Sequence, residues 1–128
     1  MQISNADLFD TVSDDYLSLY KGDKLRYDRV VELLNFKNDD VSKATGILQS
    51  SIRYDDKMSV ELKERLGEWA ILLNQVSIHF NGDAKKTTIW FMSPNPLLGY
   101  DAPRDMIRLG KFKRLYRFVV DALVENKG

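Results

Sequence analysis

Cysteine is absent from the 128 residues, and histidine occurs once. Disulfides, thiol nucleophiles and thiolate zinc sites are thereby excluded, and only carboxylates remain to build a metal centre. No metal and no cofactor is expected. Long apolar runs are missing as well: nothing approaches the ~20 residues that span a bilayer. Met1 to Asp10 has neither the basic start nor the hydrophobic stretch of a signal peptide, so a cytoplasmic protein without a membrane partner is expected. Net charge is absent too, with 19 basic residues against 19 acidic ones. Tight non-specific binding to a polyanion draws on many unpaired Lys and Arg, so any contact with nucleic acid must be local and geometric.

A catalytic constellation is also lacking. No nucleophile stands beside a base at recognisable spacing, and the adjacent pairs Asp14-Asp15, Asp39-Asp40 and Asp55-Asp56 would point to different sides of a helix. His79 sits beside an apolar seam and reads as a packed or half-exposed helix residue. The chain is not expected to be an enzyme.

What is present is helical periodicity. Leu8, Phe9, Val12, Tyr16 and Leu19 give a short helix behind Ser4, and Leu25, Tyr27, Val30, Val31 and Leu34 give a second from Lys24 to Asn35, with Asp23 as its cap. Asn38 caps a brief helix through Thr45, Gly46 ends it, and Leu48 to Asp55 forms another. From Val60 to Phe80 the residues Leu62, Leu66, Trp69, Leu73, Val76 and Phe80 recur four and three apart, the seam of one long helix. That seam suits either a dimer interface or the chain's own core. Asp83 caps a helix through Met92, which Pro94 and Pro96 terminate. A short helix from Pro103 to Leu109 and a last one carrying Phe112, Leu115, Tyr116, Val119 and Leu123 complete an all-α chain.

Val41 to Tyr54 has the makings of a helix-turn-helix. Val41, Ile47 and Ile52 are spaced to meet between two crossing helices, Gly46 supplies the turn, and small Ser42 permits close approach. The second helix would read the major groove of operator DNA through Gln49, Ser50, Ser51, Arg53 and Lys57, residue types that pair with bases or reach phosphates. Such readers work in pairs, so a homodimer is expected. A helical hairpin that only packs is the alternative, and Asp55 and Asp56 would repel phosphates. The expected organisation is an N-terminal helical arm (1–22), a helix-turn-helix bundle (23–58), and a long helix with a small C-terminal helical domain (59–128).

Further on, Ser93-Pro94-Asn95-Pro96-Leu97-Leu98-Gly99 followed by Pro103-Arg104-Asp105-Met106-Ile107 resembles the C-terminal domain of Xre-like antitoxins of the MbcA/ParS group. Residues 25–126 follow that family's order of elements. Tyr100 stands where the family has a second glycine, and Ala102 where a Ser or Thr usually caps the next helix, leaving Asp101 to cap one residue early. Apart from the family, the element reads as a rigid corner: the prolines hold it extended, Asn95 bonds its own backbone, Leu97 or Leu98 plugs the core, and Gly99 takes a positive φ.

The resemblance implies a type II toxin-antitoxin system in which the chain neutralises a RES-domain, NAD-directed toxin and represses its own operon. The two ends differ in charge: residues 1–23 hold five acids and one base, residues 104–128 seven bases and three acids. The basic cluster Arg104, Arg108, Lys111, Lys113, Arg114 and Arg117 could meet an acidic toxin rim; a solvated helix face is the other reading. A free-standing transcription regulator and a protein-interaction module that reads no DNA are the competing functions.

Overall fold

The structure, a computed structural model, describes residues 15–127. Of the helix expected from Ser4 to Tyr20, the part before Asp15 lies outside the described residues, and the rest is not helical. The Asp15 carboxylate instead accepts from the Leu19 and Tyr20 amides, each at 2.8 Å, which bends the chain into a two-stranded hairpin. Its strands are β1 (Tyr20–Lys21) and β2 (Lys24–Leu25), antiparallel, with Tyr20 opposite Leu25. A two-residue Gly22-Asp23 turn joins them, and the positive φ of Gly22 (65°) is what such a turn demands. The helix expected from Lys24 therefore starts later, as α1 (Tyr27–Leu33), with no side-chain cap from Asp23.

α2 (Asn38–Thr45) begins one residue after Lys37, whose amide donates to the Asp40 carboxylate at 2.9 Å, and ends at Gly46 with φ 77°. α3 (Val60–His79) is the spine of the molecule. Ser59 caps it, its hydroxyl accepting from the Leu62 amide at 3.1 Å. Its seam residues Leu62, Leu66, Trp69, Leu73 and Val76 are all buried inside the chain. Each fully buried leucine contributes roughly 1.5–3 kcal/mol, so this stripe belongs to the core and is not available as the dimer interface. α1, α4 and α6 pack on it.

α4 (Ala84–Met92) is capped by Asp83, whose carboxylate accepts from the Lys86 amide at 2.9 Å. After the corner come α5 (Pro103–Arg108) and α6 (Phe112–Lys127). Apart from the hairpin the described chain is helical, and the all-α class holds. One continuous buried cluster runs from Leu17 through Phe36, α3 and Phe91 to Val119, so all three expected segments contribute to it. Among the described residues no helix is long and apolar enough to cross a membrane, and no cluster of His, Asp or Glu is placed to hold a metal.

Candidate partner-binding surface

The expected reading helix does not form. After Gly46 the backbone makes a single 3-10 turn over Gln49–Ser51, is extended at Ile52, and then bends at Asp55 into a turn over 56–57. Two hydroxyls in α2 direct this exit. Ser42 Oγ donates to the Ile47 carbonyl at 2.6 Å, while Thr45 Oγ1 donates to the Val41 carbonyl and accepts from the Ile47 amide. Serines at 50 and 51 add little helix propensity to resist it. Val41 and Ile52 do reach the core, but Tyr54 packs on it two residues further and Met58 four beyond that, the alternation of an extended chain and not of a helical face.

Gln49, Ser50, Ser51, Arg53 and Lys57 are accordingly exposed on a loop, not on a rod. Arg53 is also engaged: its Nε and Nη2 fork onto Asp55 at 2.8 and 2.5 Å, and Asp55 accepts from the Lys57 amide as well. The Arg53 guanidinium holds the Asp55 carboxyl below the usual carboxylate range.

The basic cluster divides into three. Arg104 turns inward, donating from Nε to the Leu34 carbonyl at 2.8 Å and from Nη2 to the Asn35 carbonyl at 2.9 Å, with its guanidinium 5.1 Å from the Phe36 ring centre. It closes the carboxyl end of α1 and is a structural residue. Arg108 leans on Asp105 at 3.3 Å. Lys113 and Arg117 face a groove between α3 and α6. Lys111, just before α6, and Arg114 lie over a hollow shared with Leu97, Gly99, Asp101 and Phe118, and meet Lys113 at its edge toward α3. Among the described residues these four cations make no ion pair.

The corner itself is built much as its residues suggest. Asn95 Oδ1 accepts from the Leu97 amide at 2.9 Å, the Asn95 carbonyl accepts from the Tyr100 amide at 2.9 Å, and the Asn95 amide donates to the Asp101 carbonyl at 3.1 Å. Gly99 takes φ 69°. Leu98 is the residue that packs on the core, while Leu97 is 77% exposed. Tyr100 also adopts a left-handed backbone, φ 70°, with its ring 73% exposed. α5 then starts behind Ala102 without a side-chain cap, so Asp101 does not take that role.

Sequence reasoning placed the contact surface in the basic cluster alone. It missed Leu97, which shares a hollow with Lys111, Arg114 and Asp101, and Tyr100, which stands out three residues further along the same corner. The signal was present in Tyr100, a bulky residue in a slot made for glycine. Compared with protein families, with curated proteins and with solved structures, the chain finds no match in any of the three.

Proposed function

We propose that the chain is an antitoxin-type protein whose corner face, Leu97, Tyr100, Lys111 and Arg114, binds and blocks a RES-domain toxin. The observation that carries this reading is Tyr100. An L-residue in the left-handed region costs about 1–2 kcal/mol, and here nothing inside the fold collects the ring that the strained backbone displays. A leucine held outward beside two unpaired cations, with an aromatic displayed at the same corner, has the chemistry of interface anchors, suited to an apolar pocket with an acidic rim. The resemblance of the corner sequence to the Xre-like antitoxins supplies the kind of partner. In this reading the chain performs no chemistry itself.

The operator-binding part of the sequence expectation loses its support, because a major-groove reader needs a rod and residues 49–57 form none. The proposal is therefore an interaction module without a DNA step, and labelled promoter DNA from upstream of its own gene should show no sequence-selective shift. The functional test is co-expression with the product of the neighbouring gene. The full chain should rescue growth and co-purify with the toxin, while a Leu97→Ala, Tyr100→Gly chain should not. Rescue by both would remove the corner face from the account.

A further inference from the structure

We propose that two copies of this chain associate in antiparallel fashion through the outer side of α3 and the groove it forms with α6. The core takes one side of α3, which leaves Val60, Glu64, Gly67, Ile71 and Ile78 on the opposite side. Ile71 and Ile78 are each 52% exposed and stand two turns apart in one line. Between Trp69 and Ile78 the helix has no charged residue, unlike the fully solvated faces elsewhere in the chain. The apolar strip widens across the groove, where Ile71 faces Tyr116 and Val120 in a volume of about 580 Å³, and Val124 continues it one turn on. At Gly67 nothing lies within 4 Å of where a Cβ would be, so the surface there is open to a neighbouring side chain.

The pattern fits a second copy because it is self-complementary. α3 and α6 run in the same direction: Phe112 and Lys113 share a wall with Glu68, while Phe118 and Leu123 lie against Val76 and Phe80. Asn74 and Gln75 mark the midpoint between the two isoleucines. A twofold axis there sets Ile71 of one copy against Ile78 of the other, as an isologous interface requires. The charges along α6 obey the same symmetry. Its first half carries Lys113, Arg114 and Arg117, its second half Asp121 and Glu125 with Lys127 at the very end, and Lys113, Arg117 and Asp121 line the groove together with Glu68 of α3. Antiparallel copies bring the basic half of each α6 to the acidic half of the other, whereas parallel copies would oppose like charges. This surface adjoins the corner face: Lys111 and Arg114 border it through Glu68 and Lys113, while Leu97 lies on their far side.

The test is sedimentation of the purified full chain with charge-exchanged variants, each checked for unchanged helical signal and unfolding midpoint. The parent should sediment as a dimer. Ile71→Glu should be monomeric, Arg117→Asp and Asp121→Arg should each weaken association by about tenfold or more, and the double variant should recover it. A monomeric parent at high micromolar concentration overturns the proposal. So does a dimer indifferent to Ile71→Glu, or a double variant no better than the single ones. None of these outcomes bears on toxin binding, which is read separately.

Discussion

The guanidinium of Arg104 donates to the Leu34 carbonyl, 70 positions earlier in the chain, at 2.8 Å. α1 closes its own last turn, the Phe36 amide donating to the Val31 carbonyl and the Asn35 amide to the Glu32 carbonyl, while Asn35 in a left-handed conformation (φ 55°) leaves the Leu34 and Asn35 carbonyls facing α5. The planar fork of arginine satisfies two of them at once and lays its face over Phe36, which itself meets Trp69 edge-on at 5.6 Å. Arg104→Ala should lower stability by about 2–3 kcal/mol, since charged hydrogen bonds of this kind are worth roughly 1.5–3 kcal/mol. Arg104→Lys should restore less than half, because an ammonium cannot fork. Urea midpoints read both, and an alanine variant within 0.5 kcal/mol of the parent, the ordinary spread at the surface, would contradict the role.

Gly46 and Gly82 offer a controlled comparison. Both have positive φ, 77° and 81°, but a Cβ at Gly46 meets nothing within 4 Å, whereas one at Gly82 would stand 2.5 Å from Tyr16 Cδ1. Gly46→Ala should cost about 1 kcal/mol of backbone strain. Gly82→Ala should cost that plus about 1–3 kcal/mol of overpacking, and Tyr16→Ala in the same chain should recover much of the difference. Equal losses at both glycines would mean that Tyr16 gives way freely.

Two phenols set the alkaline limit. Burial pushes Tyr20 up, helped by Asp15 and Tyr27, and burial alone pushes Tyr54 up. A raised folded pKa means that the unfolded chain loses the proton first. The stability they add is complete below their ordinary value of 10.0 and falls as pH rises through the folded values. The midpoint measured from pH 8 to pH 11 should drop above about pH 10, and more gently in Tyr54→Phe. That variant should also gain about 1 kcal/mol at pH 7, because the Tyr54 hydroxyl is buried with no hydrogen-bond partner.

Tyr100→Gly should stabilise the fold. It removes about 1–2 kcal/mol of left-handed strain and adds about 0.5–1 kcal/mol of glycine backbone entropy, a net gain of up to about 1.5 kcal/mol. The exposed ring surrenders little packing. A raised melting temperature checks this, and a fall would mean that the ring supports the corner from within.

Much of the fold was legible because capping chemistry and periodicity agreed. Asp83 caps α4 where the sequence places it, and the Leu62 to Val76 seam of α3 is buried. The hairpin was missed although Gly22-Asp23 is a turn pair between Tyr20 and Leu25: apolar spacing at 12, 16 and 19 imitates a helix, and the Asp15 carboxylate that bends the chain acts through backbone amides. The reading helix was over-called for a similar reason. Val41, Ile47 and Ile52 mark contact with the core without fixing the path between them, which the Ser42 and Thr45 hydroxyls decide. At the candidate site, Lys111 and Arg114 could be read as charges, but the inward turn of Arg104 depends on carbonyls 70 positions away.

The most direct measurement is a binding titration of the purified toxin from the neighbouring gene with the parent chain and with Tyr100→Gly. The account predicts saturable binding by the parent, and at least about tenfold weaker binding by a variant that is nonetheless more stable. Undiminished binding by that stabilised variant, or none by the parent, would contradict it.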